Sequence, residues 1–339
     1  MQSAYLDEPI TEMVTEDTEN EFVSCGVATM QGWRSSQEDA HLSILNFDEN
    51  KSLFGVFDGH GGPEVALCAA EKIPELIKND FYRDGDYGEA LKKAFMDFDE
   101  YLLTMDGYTR MKALHGYPVK NNSKSDGTND KFSSKTSFGY ASGTTAVVAL
   151  SVNDWENTKM YVAHVGDSGC IISDHLVQCT YMTKDHNPKY EPELSRILAA
   201  GGIVANGRVN HDLNMSRALG DHLYKGNSLL SMTEQIIIGM PEVKVKEIKP
   251  EFGRFMLIAC DGIWNSITRN KAAIIVSEFI KSPTVKMSEI CQHLILRCLA
   301  PSKAACGGRG LDNMTCILIR FKDAPEDVCA GAMNSLKLK

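Results

Sequence analysis

The chain has 339 residues, a formal net charge of −10 and a sequence pI near 5.4. This acidic balance argues against nucleic acid and anionic membrane surfaces as partners, because both bind proteins through clustered cations. A hydrophobic content of 43% can fill a large core, built as one big domain or two small ones.

Cysteine usage and the chain start indicate the compartment. The 10 cysteines are scattered and form no CxxC pair, which is typical of reduced thiols in the cytosol or nucleus. No signal-peptide pattern opens the chain, and no apolar run approaches the ~18 residues that a membrane helix needs. Gln2 stands where N-myristoylation would need glycine. We therefore expect a soluble monomer of the cytoplasm, the nucleus or both.

In chain order, residues 1–20 are acidic without a clear period, which predicts a loose N-terminal extension. Short runs rich in Val, Ile, Phe and Leu then predict strands: FVSCGVATM, HLSILNF, LFGVF, TTAVVALSV, KMYVAHVG, FMLIACD and NMTCILIRF. Helical spacing marks PEVALCAAEKIPELIKND, with Pro63 at the first helical position, EALKKAFMDFDEYLL, KAAIIVSEFI and MSEICQHLILRCLA. The strands come in hairpin-like clusters, so we expect a mainly antiparallel sheet core covered by helices. The polar stretch 121–137 predicts a surface loop inside the domain.

The run LFGVFDGHGG, residues 53–62, ends an apolar strand at Asp58. Asp-Gly is a common turn dipeptide, so a simple turn explains part of the pattern. Three glycines around His60 are more than a turn needs, and glycine lets a ligand approach the backbone closely. Carboxylate and carbonyl oxygens together also hold hard cations. Under that interpretation, further carboxylates must converge on Asp58.

Other strand ends supply such carboxylates. Asp261 follows the strand in FMLIACDGIW, and Asp312 precedes the strand in GLDNMTCILIRF. Antiparallel neighbours place the end of one strand beside the start of the next, so these two carboxylates would be adjacent if their strands pair. Glu38 and Asp39 stand at the entrance to HLSILNF. Each residue alone could be a turn or cap residue, but their joint occurrence at strand ends favours a metal site.

A longer series of motifs runs through the chain in order: QGWRSSQEDAH, FGVFDGHGG, SGTTAV, VGDS, DHNP, RILAAGG, RVN, SRALGD, PEV, ACDGIW and LDNMT. In these motifs, from Gly26 to Phe321, the chain resembles the metal-dependent type 2C serine/threonine protein phosphatases. The resemblance implies an α+β fold of two packed, mainly antiparallel β-sheets flanked by helices on both outer faces, an α-β-β-α sandwich. It implies a catalytic domain over 21–322, a flap beside the active site at about 185–247, and a C-terminal tail at 323–339.

The resemblance also implies the reaction and its metal ligands. The family hydrolyses phosphoserine and phosphothreonine in proteins by attack of a water activated at a site with two Mg²⁺ or Mn²⁺ ions. Carried over to this chain, Asp58 bridges the two ions, and the Gly59 carbonyl binds one of them. Asp261 and Asp312 hold the second ion. Phosphorylated proteins are the implied substrates.

Four further residues match the motifs of the family. Glu38 and Asp39 would act mainly through metal-bound waters. Arg34 matches the phosphate-binding arginine, whose planar guanidinium fits phosphate oxygens bidentately. His60 matches the general acid that protonates the leaving oxygen.

Two positions depart from the family pattern. Gly169 stands where the family usually has Arg after GDS, and Asn265 stands where an Asp usually follows GIW. Asp167, Asp261 and that Asp form a third, weaker metal site in the family. A neutral amide removes one charge from this site, so its occupancy stays open.

Three other interpretations differ in class. VGDSG around Ser168 resembles the nucleophile segment of trypsin-like serine proteases, although Cys170 replaces the next glycine and no matching histidine motif is present. CQHLILR, residues 291–297, has the Cys-x5-Arg spacing of cysteine-dependent phosphatases but lacks the glycines of a phosphate loop and predicts a buried helix. A pseudophosphatase would keep the fold as a binding module, but it should have lost metal ligands, whereas Asp58, Asp261 and Asp312 are all present.

Overall fold

The computed structural model describes residues 5–115, 139–174, 176–249, 254–282, 284–304 and 307–323. The predicted loop at 121–137 and all but the first residue of the predicted tail at 323–339 lie outside these ranges. Within them, no helix is both long and apolar enough to cross a membrane.

Strands and helices alternate in groups along the chain. The strands are β1 (Tyr5–Glu19), β2 (Val23–Arg34), β3 (Ala40–Asp48), β4 (Lys51–Phe57), β5 (Gly59–His60), β6 (Gly143–Thr144), β7 (Ala146–Val152), β8 (Thr158–Val165), β9 (Gly169–Ser173), β10 (Cys179–Tyr181), β11 (Val204–Ala205), β12 (Arg208–Val209), β13 (Leu219–Gly220), β14 (Glu242–Ile248), β15 (Phe255–Ala259) and β16 (Met314–Phe321). The helices are α1 (Glu64–Ile77), α2 (Asp80–Arg83), α3 (Tyr87–Tyr101), α4 (Met105–Leu114), α5 (Glu193–Ala199), α6 (Asp261–Trp264), α7 (Arg269–Phe279) and α8 (Met287–Cys298), with a 3-10 turn at His222–Tyr224.

Two large antiparallel sheets form the centre of the fold. One has the strand order β1-β2-β16-β15-β9-β10, and the other has the order β14-β8-β7-β4-β3. Two small sheets, β13-β6-β5 and β11-β12, complete the pairing among the described strands. The strands predicted from the apolar runs are therefore confirmed.

Side-chain alternation along the strands builds three core layers. In β4, Phe54 and Val56 face the six-stranded sheet, whereas Leu53 and Phe57 face the helices, because successive strand residues point to opposite faces. The helices α1 and α3 cover the outer face of the five-stranded sheet, and α7 and α8 cover the outer face of the six-stranded sheet. The predicted α-β-β-α sandwich is confirmed.

The predicted helices are also present. Pro63 immediately precedes α1 instead of opening it, a shift of one position at a helix end. Thr268 accepts a hydrogen bond from the Lys271 N–H and caps α7, since a threonine hydroxyl satisfies an unpaired N–H of the first turn.

The expectation of a loose extension over residues 1–20 is wrong for residues 5–19. They form β1, which pairs with β2 at the edge of the six-stranded sheet. Most β1 side chains are exposed, so backbone pairing orders this segment and the sequence shows little apolar alternation. Met13 is one of the few that pack against the core.

The last strand occupies the middle of its sheet. β16 pairs with β2 on one side and with β15 on the other, and the sheet order places it third among six strands. The β15 and β16 pairing brings the residues after Ala259 beside those before Met314.

Candidate metal centre

A polar cavity of about 530 Å³ opens at the ends of the two central sheets. Its lining includes every predicted site residue except Asp39: Arg34, Glu38, Asp58, Gly59, His60, Asp167, Asp261 and Asp312. Asp39 is buried behind them. Side chains as far apart in the sequence as Arg34 and Asp312, which are 278 residues apart, thus meet in one place.

Strand ends position the central carboxylates. Asp58 follows the last residue of β4, and its carbonyl accepts a hydrogen bond from the Thr145 N–H at 2.9 Å. Asp261 opens α6 directly after β15, and its N–H donates to Asp58 Oδ2 at 3.4 Å. Asp312 lies just before β16. The adjacency of Asp261 and Asp312 predicted from strand pairing is therefore present.

One glycine permits the close approach of these two segments. A Cβ on Gly262 would lie 2.0 Å from the Asn313 carbonyl oxygen, so any larger residue would separate α6 from the loop before β16. The Asn313 N–H in turn donates to Asp312 Oδ1 at 2.8 Å. Gly262 therefore keeps Asp261 and Asp312 together.

Several oxygens of these buried carboxylates lack a hydrogen-bond donor among the described residues. Ligand atoms of Asp39, Asp58 and Cys260 lie within 4.8 Å of one another. Both Asp39 carboxylate oxygens and Asp167 Oδ1 are buried and accept no hydrogen bond from the residues that the structure describes. Buried acceptors without donors are unfavourable, and a cation would satisfy them.

The pKa values of the clustered carboxylates are raised, so their ionised forms are unfavourable without a nearby positive charge. Burial, followed by repulsion from Asp261, raises the pKa of Asp58 well above its usual range. Burial chiefly raises the pKa of Asp39 to about 7, that of Asp167 to about 8 and that of Asp261 to about 6. Neighbouring carboxylates add to each of these shifts. Burial raises the pKa of the Cys260 thiol well above its usual range, so this sulfur stays protonated and the available donors are oxygens. A site of oxygen donors with this much negative charge fits Mg²⁺ or Mn²⁺ better than softer metals.

Amide side chains contact the carboxylates of the predicted third site. Asn265 Nδ2 donates to Asp261 Oδ2 at 2.9 Å. Asn214 Nδ2 donates to Asp167 Oδ2 at 3.0 Å. Each carboxylate is thus partly satisfied by a neutral donor. Asn265 stands where a third carboxylate is expected, and it contributes no negative charge.

The space beside Gly169 is filled by another arginine. A Cβ on Gly169 would lie 2.7 Å from Arg269 Nη2 and 2.9 Å from Trp264 Nε1. Arg269 comes from α7 and pairs with Asp185 at 2.7 Å. A guanidinium from elsewhere in the chain therefore lies beside the position where the family usually has arginine.

Arg34 and Glu38 lie at the cavity rim. Arg34 Nη2 contacts Asp312 Oδ2 at 2.6 Å. Glu38 Oε2 accepts a hydrogen bond from the Gly62 N–H at 3.1 Å, and the Glu38 N–H donates to Asn313 Oδ1 at 3.0 Å. Both side chains are half-buried, so each can contact a molecule that enters the cavity.

His60 has a buried carboxylate partner that sequence reasoning missed. Its Nε2 lies 2.7 Å from Asp221 Oδ2, and Asp221 is only 1% exposed. Burial alone lowers the pKa of His60, but the charge and hydrogen bond of Asp221, with smaller contributions from Asp167 and Glu38, together outweigh burial, and the net pKa is raised. The cavity also contains Arg208, Asn214 and Met215 from the predicted flap. Of these three residues only Arg208 lies in one of the sequence motifs, RVN, and that motif carried no residue role.

The alternative nucleophiles are not available for catalysis. Ser168 is 0% exposed, and its hydroxyl lies 2.7 Å from the Thr145 hydroxyl, with which it shares a hydrogen bond. Cys291 is buried on α8, with its Sγ 3.5 Å from the Gly26 carbonyl oxygen. Neither residue lines the cavity, which argues against both alternative mechanisms.

A second group of possible ligands lies elsewhere. Atoms of His164, His186 and Glu242 are within 4.8 Å of one another. His186 Nδ1 accepts the Gly166 N–H at 3.1 Å, so the proton of the neutral ring is on Nε2, 3.6 Å from Glu242 Oε1. A protonated nitrogen cannot bind a metal. This group is therefore better explained as part of a polar network than as a metal site.

Comparisons with known proteins agree with this geometry. The family model described as "Protein phosphatase 2C" matches residues 23–306. The chain is 38% identical to "Probable protein phosphatase 2C 21" of Arabidopsis thaliana, covering 94% of this chain and 92% of the relative. It is 38% identical to "Probable protein phosphatase 2C 3" of Paramecium tetraurelia, covering 94% and 99%. A crystal structure of a phosphatase from Toxoplasma gondii has the same fold, with a TM-score of 0.70 at 19% identity, covering 92% of this chain and 96% of that one.

Proposed function

The chain belongs to the protein phosphatase 2C family, and on this premise we propose that it hydrolyses phosphoserine and phosphothreonine in proteins with the help of two Mg²⁺ or Mn²⁺ ions. The observation that supports this proposal most directly is the buried carboxylate cluster around Asp58, with acceptors that no described residue satisfies. A pure binding module has no need for such a cluster.

The residues at the cavity fit the proposed ions. The direct ligands would be Asp58, Asp261, Asp312 and the Gly59 carbonyl. Glu38 and Asp39 would act mainly through metal-bound waters. When bound, such ions supply a water of lowered pKa and offset the charge of the phosphate. Asp167 would take part only in a third, weaker site.

Arg34 would bind and orient the phosphate. Its guanidinium lies on the rim, beside Asp312 and facing the cavity lining. A planar guanidinium can donate two parallel hydrogen bonds to phosphate oxygens. The phosphorus is then held next to the carboxylate cluster, with the ester oxygen free to leave.

His60 would hold the proton that the leaving group needs. Serine leaves as an alkoxide of high pKa, so a proton must reach its oxygen as the bond to phosphorus breaks. Although burial lowers the pKa of His60, the charge and hydrogen bond of Asp221 contribute most to a net rise, which favours the protonated ring. His60 lines the cavity, which supports this role.

The substrates follow from the same site. A serine or threonine phosphate on a protein is a dianion that Arg34 and the ions would recognise together, and the flap residue Arg208 adds a second cation to the lining. The compartment and the monomeric state stay predictions from the sequence.

The proposal is tested with a phosphoserine peptide, with Mn²⁺, with EDTA and with a serine-protease inhibitor. We expect activity only with Mn²⁺ or Mg²⁺ and no effect of the inhibitor. Asp58→Ala and Asp261→Ala should each reduce kcat at least ~10²-fold, because each removes an anionic ligand. Full activity after dialysis against EDTA would contradict the metal requirement. A folded wild-type protein that binds the peptide without hydrolysing it would favour the pseudophosphatase.

A further inference from the structure

A small sheet brings the side chains of His60 and Asp221 together next to Gly143. In β13-β6-β5, Gly143 pairs with His60 on one side and with Gly220 on the other. A Cβ on Gly143 would lie 2.4 Å from Asp221 Oδ2 and 2.7 Å from His60 Nε2. Only glycine at this position lets the Asp221 carboxylate reach the His60 ring.

The backbone holds Asp221 in an uncommon conformation. Its φ is +52°, in the left-handed region, and its N–H donates to the Ser142 carbonyl at 2.8 Å. The neighbouring Gly220 N–H donates to Asp99 Oδ1 at 2.8 Å, and Lys225 Nζ contacts both Asp99 oxygens. Backbone conformations of this kind persist where the surroundings fix them, and they cluster at functional sites.

The Asp221 carboxylate has little structural use apart from His60. Oδ2 contacts His60, and Oδ1 is buried without a hydrogen bond from any residue that the structure describes. A carboxylate buried for stability alone is normally satisfied by several donors. The single short contact therefore indicates a role directed at the histidine.

We propose that Asp221 is a positioning residue that accepts a hydrogen bond from His60 Nε2–H and so leaves Nδ1 as the nitrogen that protonates the leaving oxygen. Nδ1 makes no hydrogen bond within the described ranges, and His60 lines the cavity. The proposal rests on the proposed phosphatase function.

The bond between phosphorus and the serine oxygen breaks, and its electron pair goes to the serine oxygen. That oxygen takes the proton from His60 Nδ1. The oxygen of the water consumed in hydrolysis forms the new bond to phosphorus, and this water gives up one proton to solvent, from which the ring regains its own after turnover. The ring is left neutral with its remaining proton on Nε2, still bonded to Asp221.

The test compares two substrates in Asp221→Asn. Asparagine has the same shape and tolerates the left-handed conformation, so the variant should fold. We expect kcat for a phosphoserine peptide to fall by roughly 10²-fold, within the range of a lost general acid. With p-nitrophenyl phosphate, whose leaving group needs no proton, we expect at most a few-fold loss. Asp212→Asn, an equal change in charge in the same segment, should leave both rates unchanged.

Two further variants identify the pathway of the effect. His60→Ala should give the same selective loss, and the double variant with Asp221→Asn should be no slower than His60→Ala alone, because both act through one group. Gly143→Ala keeps both side chains but separates them, and it should reproduce the selectivity. The half-maximal Mn²⁺ concentration should not change in Asp221→Asn. Equal losses on both substrates, additive losses or a shifted Mn²⁺ requirement would overturn the proposal.

A spectroscopic measurement keeps the proposal separate from the phosphatase function. In metal-free protein labelled with ¹⁵N-histidine, we expect a low-field Nε2–H proton signal from His60, since a hydrogen bond to a carboxylate is strong. This signal should disappear in Asp221→Asn. Its absence from the wild type, or its persistence in the variant, would refute the positioning role. Wild-type protein that shows the signal but hydrolyses neither substrate with Mn²⁺ would contradict both the proposed function and the catalytic part of this role.

Discussion

Asn265 sits one helical turn after Asp261 and donates to its carboxylate. This neutral contact lies where a third negative charge would strengthen cation binding. The amide of Asn265 therefore reduces repulsion among the carboxylates, but the site has one negative charge fewer and should bind a cation more weakly. The balance between these two effects can be tested with a single substitution.

We predict that Asn265→Asp lowers the Mn²⁺ concentration needed for half-maximal activity, by about 3-fold or more, because it adds an anionic oxygen donor. The measurement is a Mn²⁺ titration of phosphopeptide hydrolysis. Asn265→Ala is the matched control, since it removes the amide without adding charge, and it should not lower the requirement. An unchanged titration in Asn265→Asp would mean that this position does not contact an ion.

At the residue scale, the sequence was informative where local geometry decides position. Asp58, Asp261 and Asp312 could be predicted as candidates because each stands at a strand end, and the pairing of β15 with β16 brings Asp261 and Asp312 together. Asp58 follows β4 of the other large sheet, so its approach to them depends on how the two sheets pack. Asp221 could not be predicted, since it contacts His60 across 161 residues of chain. The contact depends on a two-residue strand and on the absence of a side chain at Gly143, neither of which has a pattern of its own.

At the scale of elements, the strands with alternating or continuous apolar runs were predictable, and β1 was not. Its sequence YLDEPITEMVTEDTE offers few apolar residues because most of its side chains face solvent. Edge strands of this kind are held by backbone hydrogen bonds, which every sequence can make. Negative charges along such an edge also oppose pairing with other chains.

One side chain of β1 has a further structural role at α8. Asp17 Oδ1 accepts the Ser288 N–H at 2.9 Å, in the first turn of that helix. Asp17→Ala should lower the free energy of unfolding by about 1 kcal/mol, the usual cost of losing a helix cap. The measurement is urea unfolding followed by circular dichroism. Asp7→Ala is the control. Among the described residues, fully exposed Asp7 makes only a surface ion pair, with Lys303, so its replacement should lower the free energy of unfolding far less. Equal effects of the two substitutions would show that Asp17 does not act as a cap.

At the scale of the whole molecule, the buried carboxylates that would bind cations lower the stability of the fold when they are ionised without a cation. An acid whose pKa is raised in the folded state favours folding below its unfolded pKa, and this contribution is lost as pH rises through the folded pKa. For Asp167 the window runs from about 3.9 in the unfolded chain to about 8 in the fold. Without a divalent cation, this residue therefore makes the protein less stable as pH rises across that window.

We predict that Asp167→Asn stabilises the protein in EDTA, and that it does so more at pH 8 than at pH 5, with a difference on the order of 1 kcal/mol or more. Thermal unfolding at the two pH values measures the effect. Asp97→Asn removes a surface charge that pairs with Lys93 and should show no such gain at pH 8. A stabilisation that is absent at pH 8, or larger at pH 5, would contradict a raised pKa at this site.

The central position of β16 has a consequence for how the protein is made. Residues 314–321 leave the ribosome after β2 and β15, and both of these strands depend on them for hydrogen bonding. Until they emerge, the six-stranded sheet is divided and the carboxylate of Asp312 is missing from its place. A nascent or prematurely terminated chain would thus expose two unpaired apolar strand edges, the kind of surface that chaperones bind and that aggregates form from. Completion of the sheet and assembly of the site belong to the same late event, so partial synthesis products should be inactive and rapidly removed.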